Sequence, residues 1–228
     1  MERQENLHAG HRQRMKRRFL ELGERGMDDH QLLELLLFYA VPRKDTNLLA
    51  HQLINRFGSL SGVLTASPNE LRQVKDIGDS AVVLLELVPQ LARRCWQREN
   101  EAEAIVRNEQ EAAEYLRPYF FGVRREQVYL LSVDQKGRVL GCDFLGEGGD
   151  NAVGLDTRLL TETALRHRAT WVVLAHSHPS GLAMPSQADI ATTRSCRSIL
   201  RALEIDLRDH LIFADDDYVS MRESGLMI

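Results

Sequence analysis

From Asp29 to Tyr39 the chain reads DHQLLELLLFY, a density and spacing of leucines that predicts a buried helix, with Asp28 or Asp29 placed to cap it and Pro42 to end it. Asn47 to Phe57 sets Leu48, Leu49, Leu53, Ile54 and Phe57 at helical spacing and then meets Gly58, a helix stop. Ser67-Pro68-Asn69-Glu70 predicts a further start: Ser67 as N-cap, Pro68 at the first helical position and Glu70 closing a capping box, with Leu71 and Val74 as the apolar face. The stretch LRQVKDIGDSAVVLLELVPQLARR then reads as helix, tight turn at Asp76 to Asp79, and helix.

Between Trp96 and Gln110 the pattern gives way to the polar run QRENEAEAIVRNEQ, which predicts a domain boundary near residue 104, with a helical domain over 1–104 and a second domain over 105–228. Beyond it Glu109 to Tyr119 reads as a helix. VYLLSVD and RVLGCDFLG read as strands joined by the turn Asp134-Gln135-Lys136-Gly137. Leu155 to His167 predicts a helix, TWVVLAHSH a buried strand, Ser186 to Leu203 a helix, and DHLIFAD and YVSMR two final strands. Strands alternating with helices predict a mixed α/β domain around a central sheet, behind an all-α N-terminal domain.

Composition changes this picture little, but it excludes some classes of function. No apolar run reaches the roughly 18 to 20 residues a membrane span needs, and the N-terminal MERQENLHAGHRQRMKRRF has no apolar core for a signal peptide, so a cytoplasmic protein without a membrane partner is expected. Cys95, Cys142 and Cys196 are odd in number and far apart, which fits reduced thiols and leaves any metal to other ligands. The net charge is -4, with 15 basic and 15 acidic residues over 1–104 and 14 against 18 in the remainder. Neither half is broadly cationic, so DNA binding, if present, is expected to be weak and nonspecific. The local basic run His11 to Arg18, HRQRMKRR, reads either as a solvated helix face or as a phosphate contact.

The chemistry concentrates in VVLAHSHPSGLAMPSQAD, Val172 to Asp189. His176 and His178 stand two apart at the end of an apolar strand, so if the strand persists both imidazoles project from one face. Asp189, eleven residues beyond His178, follows a loop able to fold the next helix start over the strand end. Two His and one Asp leave a fourth tetrahedral position for water, the pattern of catalytic zinc. Ser186 and Asp189 also form a plain capping box.

H-S-H-P with Ser186 and Asp189 at these offsets resembles the JAMM motif, and the similarity extends further. HSHPSG, PSQAD, DHLI at Asp209 to Ile212 and YVSMRESG at Tyr218 to Gly225 resemble the RadC family, as do the N-terminal basic start, the leucine-rich helix with PRKDTN and the hairpin. The resemblance covers nearly the whole chain. It implies a JAMM or cytidine-deaminase-like mixed sheet domain preceded by a helix-hairpin-helix-like helical domain. It further implies a Zn2+ site of His176, His178 and Asp189, and hydrolysis of a peptide or isopeptide bond by a zinc-activated water. Through it Glu126 aligns as the catalytic base, with Glu147 in the LGEGG loop and Glu162 on the preceding helix as rivals, and Ser186 becomes the donor to the developing oxyanion. Two positions depart from the family: Ser177 stands where Asn is usual, and Asp76 where the hairpin usually has the first glycine of its turn. A carboxylate there repels phosphate, so the hairpin reads as structural or as a protein contact beside its DNA-binding reading. The alternatives to a hydrolase are a DNA-associated repair factor and a zinc-binding scaffold without turnover.

Overall fold

The computed structural model describes residues 2–42, 44–100, 104–148, 155–179, 181–214 and 217–227. The chain divides into two compact units, Met1–Leu91 and Ala92–Ile228. The division falls inside a long helix, ahead of the polar run that follows Trp96.

The first unit is helical: α1 (Glu2–Leu22), α2 (Asp29–Leu37), α3 (Thr46–Phe57), α4 (Leu60–Thr65), α5 (Pro68–Arg72) and the first half of α6 (Asp79–Asn100). Local chemistry starts and stops these helices. Asp28 caps α2 reciprocally with Gln31, whose side chain accepts the Asp28 N–H at 3.2 Å. Asp45 caps α3, and Gly58 ends it in the left-handed conformation at φ 85. Ser67 and Glu70 close the box on α5 around Pro68. Leu33, Leu37, Leu53, Leu71 and Leu85 are fully buried in one cluster, each contributing roughly 1.5–3 kcal/mol of transfer free energy.

Two sequence features of this unit acquire definite roles. The basic run lies on α1, where His11 Nε2 sits 3.0 Å from the buried Glu34 and Arg12 donates to the carbonyls of Val41 at 2.8 Å and Lys44 at 3.0 Å. These two side chains dock α1 on the α2–α3 region. In the hairpin, Asp76 itself takes the left-handed conformation, φ 67, and its carboxylate meets Lys44 Nζ at 3.2 Å. The turn demands a left-handed residue at position 76, which explains the glycine usual in such hairpins.

The second unit holds a five-stranded sheet of order β2-β1-β3-β4-β5, with β1 (Gln127–Val133), β2 (Val139–Glu147), β3 (Trp171–Ser177), β4 (Asp206–Ala214) and β5 (Asp217–Ser220). All neighbouring pairs are antiparallel except β3 and β4. Around the sheet stand α7 (Glu109–Phe120), α8 (Thr157–Arg166) and α9 (Gln187–Ala202). This is the expected mixed α/β domain behind a helical region.

Strand alternation divides the core. Leu131, Val133, Val173, Ala175, Leu211 and Phe213 pack on the α7 side. Val128, Leu130, Val172, Leu174 and Leu207 pack with Leu160 of α8 and Leu200 of α9 on the other. Even-numbered residues of β1 and β3 therefore face α8 and α9, and continuing that count brings Glu126, His176 and His178 to the same side. A parallel β3–β4 pair needs a crossover, and α9 supplies it. Its N-terminus must begin beside the C-terminal end of β3, where the two histidines stand.

Among the described residues, no helix is long and apolar enough to cross a membrane.

Candidate metal centre

Glu126, His176, His178 and Asp189 each offer a ligand atom, and the four atoms lie within 4.8 Å of one another. His176 Nε2 is 2.7 Å from His178 Nε2, 3.3 Å from Asp189 Oδ1 and 3.9 Å from Glu126 Oε1. His178 Nε2 is 3.5 Å from Asp189 Oδ2. The group lines a cavity of about 380 Å³ together with Ser186 and His210.

Each position has a local cause. The fully buried β3 carries His176, and His178 follows where the strand ends. The His178 backbone N–H donates to the Phe213 carbonyl at 2.7 Å, which ties that turn to β4. Asp189 is the third residue of α9, whose N-cap is Ser186. Ser186 donates both its N–H, at 2.7 Å, and its hydroxyl, at 2.6 Å, to Asp189 Oδ2, and accepts the Asp189 N–H at 3.1 Å. Two donors on Oδ2 leave Oδ1 turned toward His176. The capping box and the placement of Asp189 are thus one device, and the Ser186 hydroxyl is committed to Asp189 in this arrangement.

Electrostatics follow from the same contacts. Burial lowers His176 to about 4, against the pull of Asp189. His178 is raised, first by its hydrogen bond to Asp189. Burial alone pushes Asp189 upward, but hydrogen bonds from His178 and Ser186 and the nearby His176 hold it well below the usual carboxylate range. Burial raises Glu126, with Asp189 adding to the effect and His178 opposing it.

The donor set fits a divalent metal ion. His178 Nδ1 is 3.2 Å from the Leu182 carbonyl, which can only accept, so Nδ1 carries a proton, and in the neutral form of the ring Nε2 is the bare nitrogen that faces His176. Two ring nitrogens facing each other at 2.7 Å, with carboxylates of Asp189 and Glu126 beside them, need a cation or a proton between them. Imidazole nitrogen with carboxylate oxygen is a ligand set that zinc accepts.

The two rival carboxylates lie elsewhere. Glu147 pairs with Arg125 at 3.0 Å and accepts from Gln127 at 3.4 Å, while Glu162 pairs with Arg158 at 2.8 Å on α8. Neither joins the candidate metal-binding group.

Sequence reasoning missed His210 and Thr193. His210 Nε2 is 2.8 Å from His176 Nδ1, and His210 Nδ1 is 2.6 Å from Thr193 Oγ1. The DHLI segment contains the signal, but its facing depends on strand register. It also missed the bonding of Ser177, whose hydroxyl holds the peptide groups on either side of Glu126.

Comparison with known proteins agrees with this architecture. Residues 106–226 match the family described as RadC-like JAB domain. A UPF0758 protein of Rhodobacter capsulatus is 34% identical over 213 residues, covering 93% of this chain and all of that protein. The N-terminal helices, the mixed sheet and the motif at His176 to Asp189 therefore sit in a chain that belongs to the RadC family.

Proposed function

We propose that the protein is a zinc-dependent hydrolase of the JAMM type that cleaves a peptide or isopeptide bond. The observation that carries this reading is the grouping of Glu126 with His176, His178 and Asp189 at the wall of an open cavity. Three of these suffice as ligands, which leaves Glu126, at 3.9 Å from His176 Nε2, for proton transfer.

Zinc held by His176, His178 and Asp189 would supply Lewis acidity, drawing the pKa of a water down toward about 7. The remaining work belongs to the chain. His176, neutral through burial, offers a lone pair without first losing a proton. Asp189 is ionised at any physiological pH and offsets part of the metal's charge. Glu126 is raised above its ordinary value, which brings it closer to the pH at which it must take a proton and return it to a leaving amine. Ser186 lines the cavity, and its hydroxyl, released from Asp189, would donate to an oxyanion developing on the scissile carbonyl.

The test joins metal analysis with a library of peptide and isopeptide substrates. About one zinc per chain, cleavage of some library members, loss of cleavage on chelation and recovery on zinc addition are expected. Protein that takes up no zinc at neutral pH would sink the metal reading. Zinc-loaded protein that cleaves nothing would point to a scaffold instead.

A further inference from the structure

We infer that His210 is a positioning residue of the metal centre: with Thr193 it fixes the ring of His176 so that Nε2 presents a bare lone pair to the ion. This rests on the reading of His176 as a metal ligand, and extends it to residues outside the JAMM motif.

The proton positions along the relay follow from its contacts. Thr193 Oγ1 lies 2.6 Å from the Asp189 carbonyl oxygen. A carbonyl has no proton to give, so the one between the two oxygens is the threonine's. With that proton spent, Thr193 Oγ1 must accept at its 2.6 Å contact with His210, and the proton there belongs to His210 Nδ1. His210 is 2% exposed and neither of its ring nitrogens meets a carboxylate, and a buried imidazolium without an anionic partner is costly, so the ring is neutral and its Nε2 is an acceptor. The 2.8 Å contact to His176 then requires a proton on His176 Nδ1. A ligating imidazole carries only one proton, so the remaining nitrogen of His176 is bare, and that nitrogen faces His178 and Asp189.

The relay runs between two metal ligands. It starts on the ring of His176 and ends on the backbone of Asp189, because Thr193 lies one helical turn beyond Asp189 on α9. The three members are buried, with His176 and His210 2% and Thr193 1% exposed, so no water competes for the bonds. A histidine and a threonine here do what a carboxylate or carbonyl does behind many ligating imidazoles, fixing tautomer and ring orientation.

The fold makes a local provision for it. In the β3–β4 ladder Val172 pairs with Leu207 but Val173 pairs with Asp209, so β4 carries one extra residue, Arg208. Leu207 packs on the α9 side, and simple alternation would send Asp209 there next. The bulge shifts the phase by one, which brings His210 to the α9 side opposite Thr193 and sends Leu211 to the α7 core.

The test reads zinc affinity, by competition between apoprotein and a chromogenic chelator, and so needs no substrate. His210→Leu should weaken zinc binding by roughly 10- to 100-fold. His210→Gln should stay within about threefold of the parent, since its amide oxygen can accept from His176 Nδ1 and its amide N–H can donate to Thr193. Parent-like affinity in His210→Leu, or equal losses in the two variants, would overturn the inference. A readout on the unaltered protein guards against misfolded variants: ring ¹⁵N shifts of zinc-loaded parent should show His176 protonated at Nδ1 and zinc-bound at Nε2, and the reverse would overturn it. A parent that binds no zinc removes the metal reading itself, whereas a parent that binds with His210→Leu unchanged removes only the relay.

Discussion

Ser177 and Gln127, fifty positions apart, are joined where the Gln127 N–H donates to Ser177 Oγ at 3.1 Å, and the same hydroxyl donates to the Arg125 carbonyl at 3.2 Å. The two peptide groups so held flank Glu126. Ser177 lies between the two histidines proposed as ligands in sequence, yet its buried side chain braces the carboxylate proposed as the base. Ser177→Ala should therefore leave zinc content near that of the parent while turnover falls about tenfold, because the clamp sets orientation and not coordination. Ser177→Thr, which keeps the hydroxyl, should recover most of the rate. Loss of zinc in Ser177→Ala would show that the serine supports the ligands instead.

Glu126→Gln and His178→Ala should separate chemistry from coordination. The amide keeps the shape of the carboxylate but cannot take a proton, so Glu126→Gln should abolish hydrolysis with zinc still bound. His178→Ala removes a ligand and should lose both. Metal content and turnover on the same preparations decide it. Glu126→Gln that turns over at near the parent rate would remove Glu126 as the base.

Much of this arrangement was legible in the sequence, for reasons of range. Ser67 with Glu70, and Ser186 with Asp189, are capping boxes written within four residues, and both form as read. His176 and His178 share a face because strand side chains alternate, which needs no tertiary information. The short α4, capped by Ser59, was invisible because six residues carry too little periodicity. Glu126, Glu147 and Glu162 could be ranked only through family resemblance. The distinction between them is one of register: Gln127 pairs with Glu147 across β1 and β2, and Val128 pairs with His176 across β1 and β3. His210 was missed for a sharper reason, since its facing depends on a bulge at Arg208 that DHLI does not announce.

Zinc binding should depend on pH through one proton. His178 is raised above the ordinary imidazole value by its bond to Asp189, while His176 is lowered to about 4 by burial. A raised pKa means the proton is retained to higher pH, so on acidification His178 is the first ligand for which protons compete. Affinity should fall about tenfold per pH unit below the ordinary histidine value of about 6.5, or from somewhat higher. His176 is already neutral there, so the slope should steepen to two protons only near about 4. Chelator competition across this range measures it, and a two-proton slope near about pH 6 would show His176 charged in the apoprotein.

Asp76→Gly and Asp76→Ala both remove the carboxylate and its contact with Lys44, and differ only in whether a β-carbon remains at φ 67. The glycine variant should be the more stable of the two by about 1 kcal/mol, read from urea unfolding. Equal stability would mean the turn relaxes. Any duplex DNA binding by the parent should be weak and nonspecific, and steeply salt-dependent only if several phosphates are contacted. Glycine at 76 should strengthen it only if the hairpin meets phosphate.

Ser186→Ala addresses a side chain with two offices. Its hydroxyl donates to Asp189 Oδ2 at 2.6 Å and accepts the Asp189 N–H at 3.1 Å, so its loss uncaps α9 and removes one of two donors steering the ligand. The backbone N–H at 2.7 Å remains, so zinc should still bind, weakened by no more than about tenfold. Loss of the cap should cost about 1 kcal/mol of stability. If the hydroxyl also serves the oxyanion, turnover of a substrate found in the library should fall by roughly tenfold to a thousandfold, mainly in kcat, since that donor acts on charge appearing only in the transition state. Ser186→Thr should restore both cap and rate. Near-parent kcat in Ser186→Ala, with only the stability loss, would confine the serine to capping α9 and bracing Asp189.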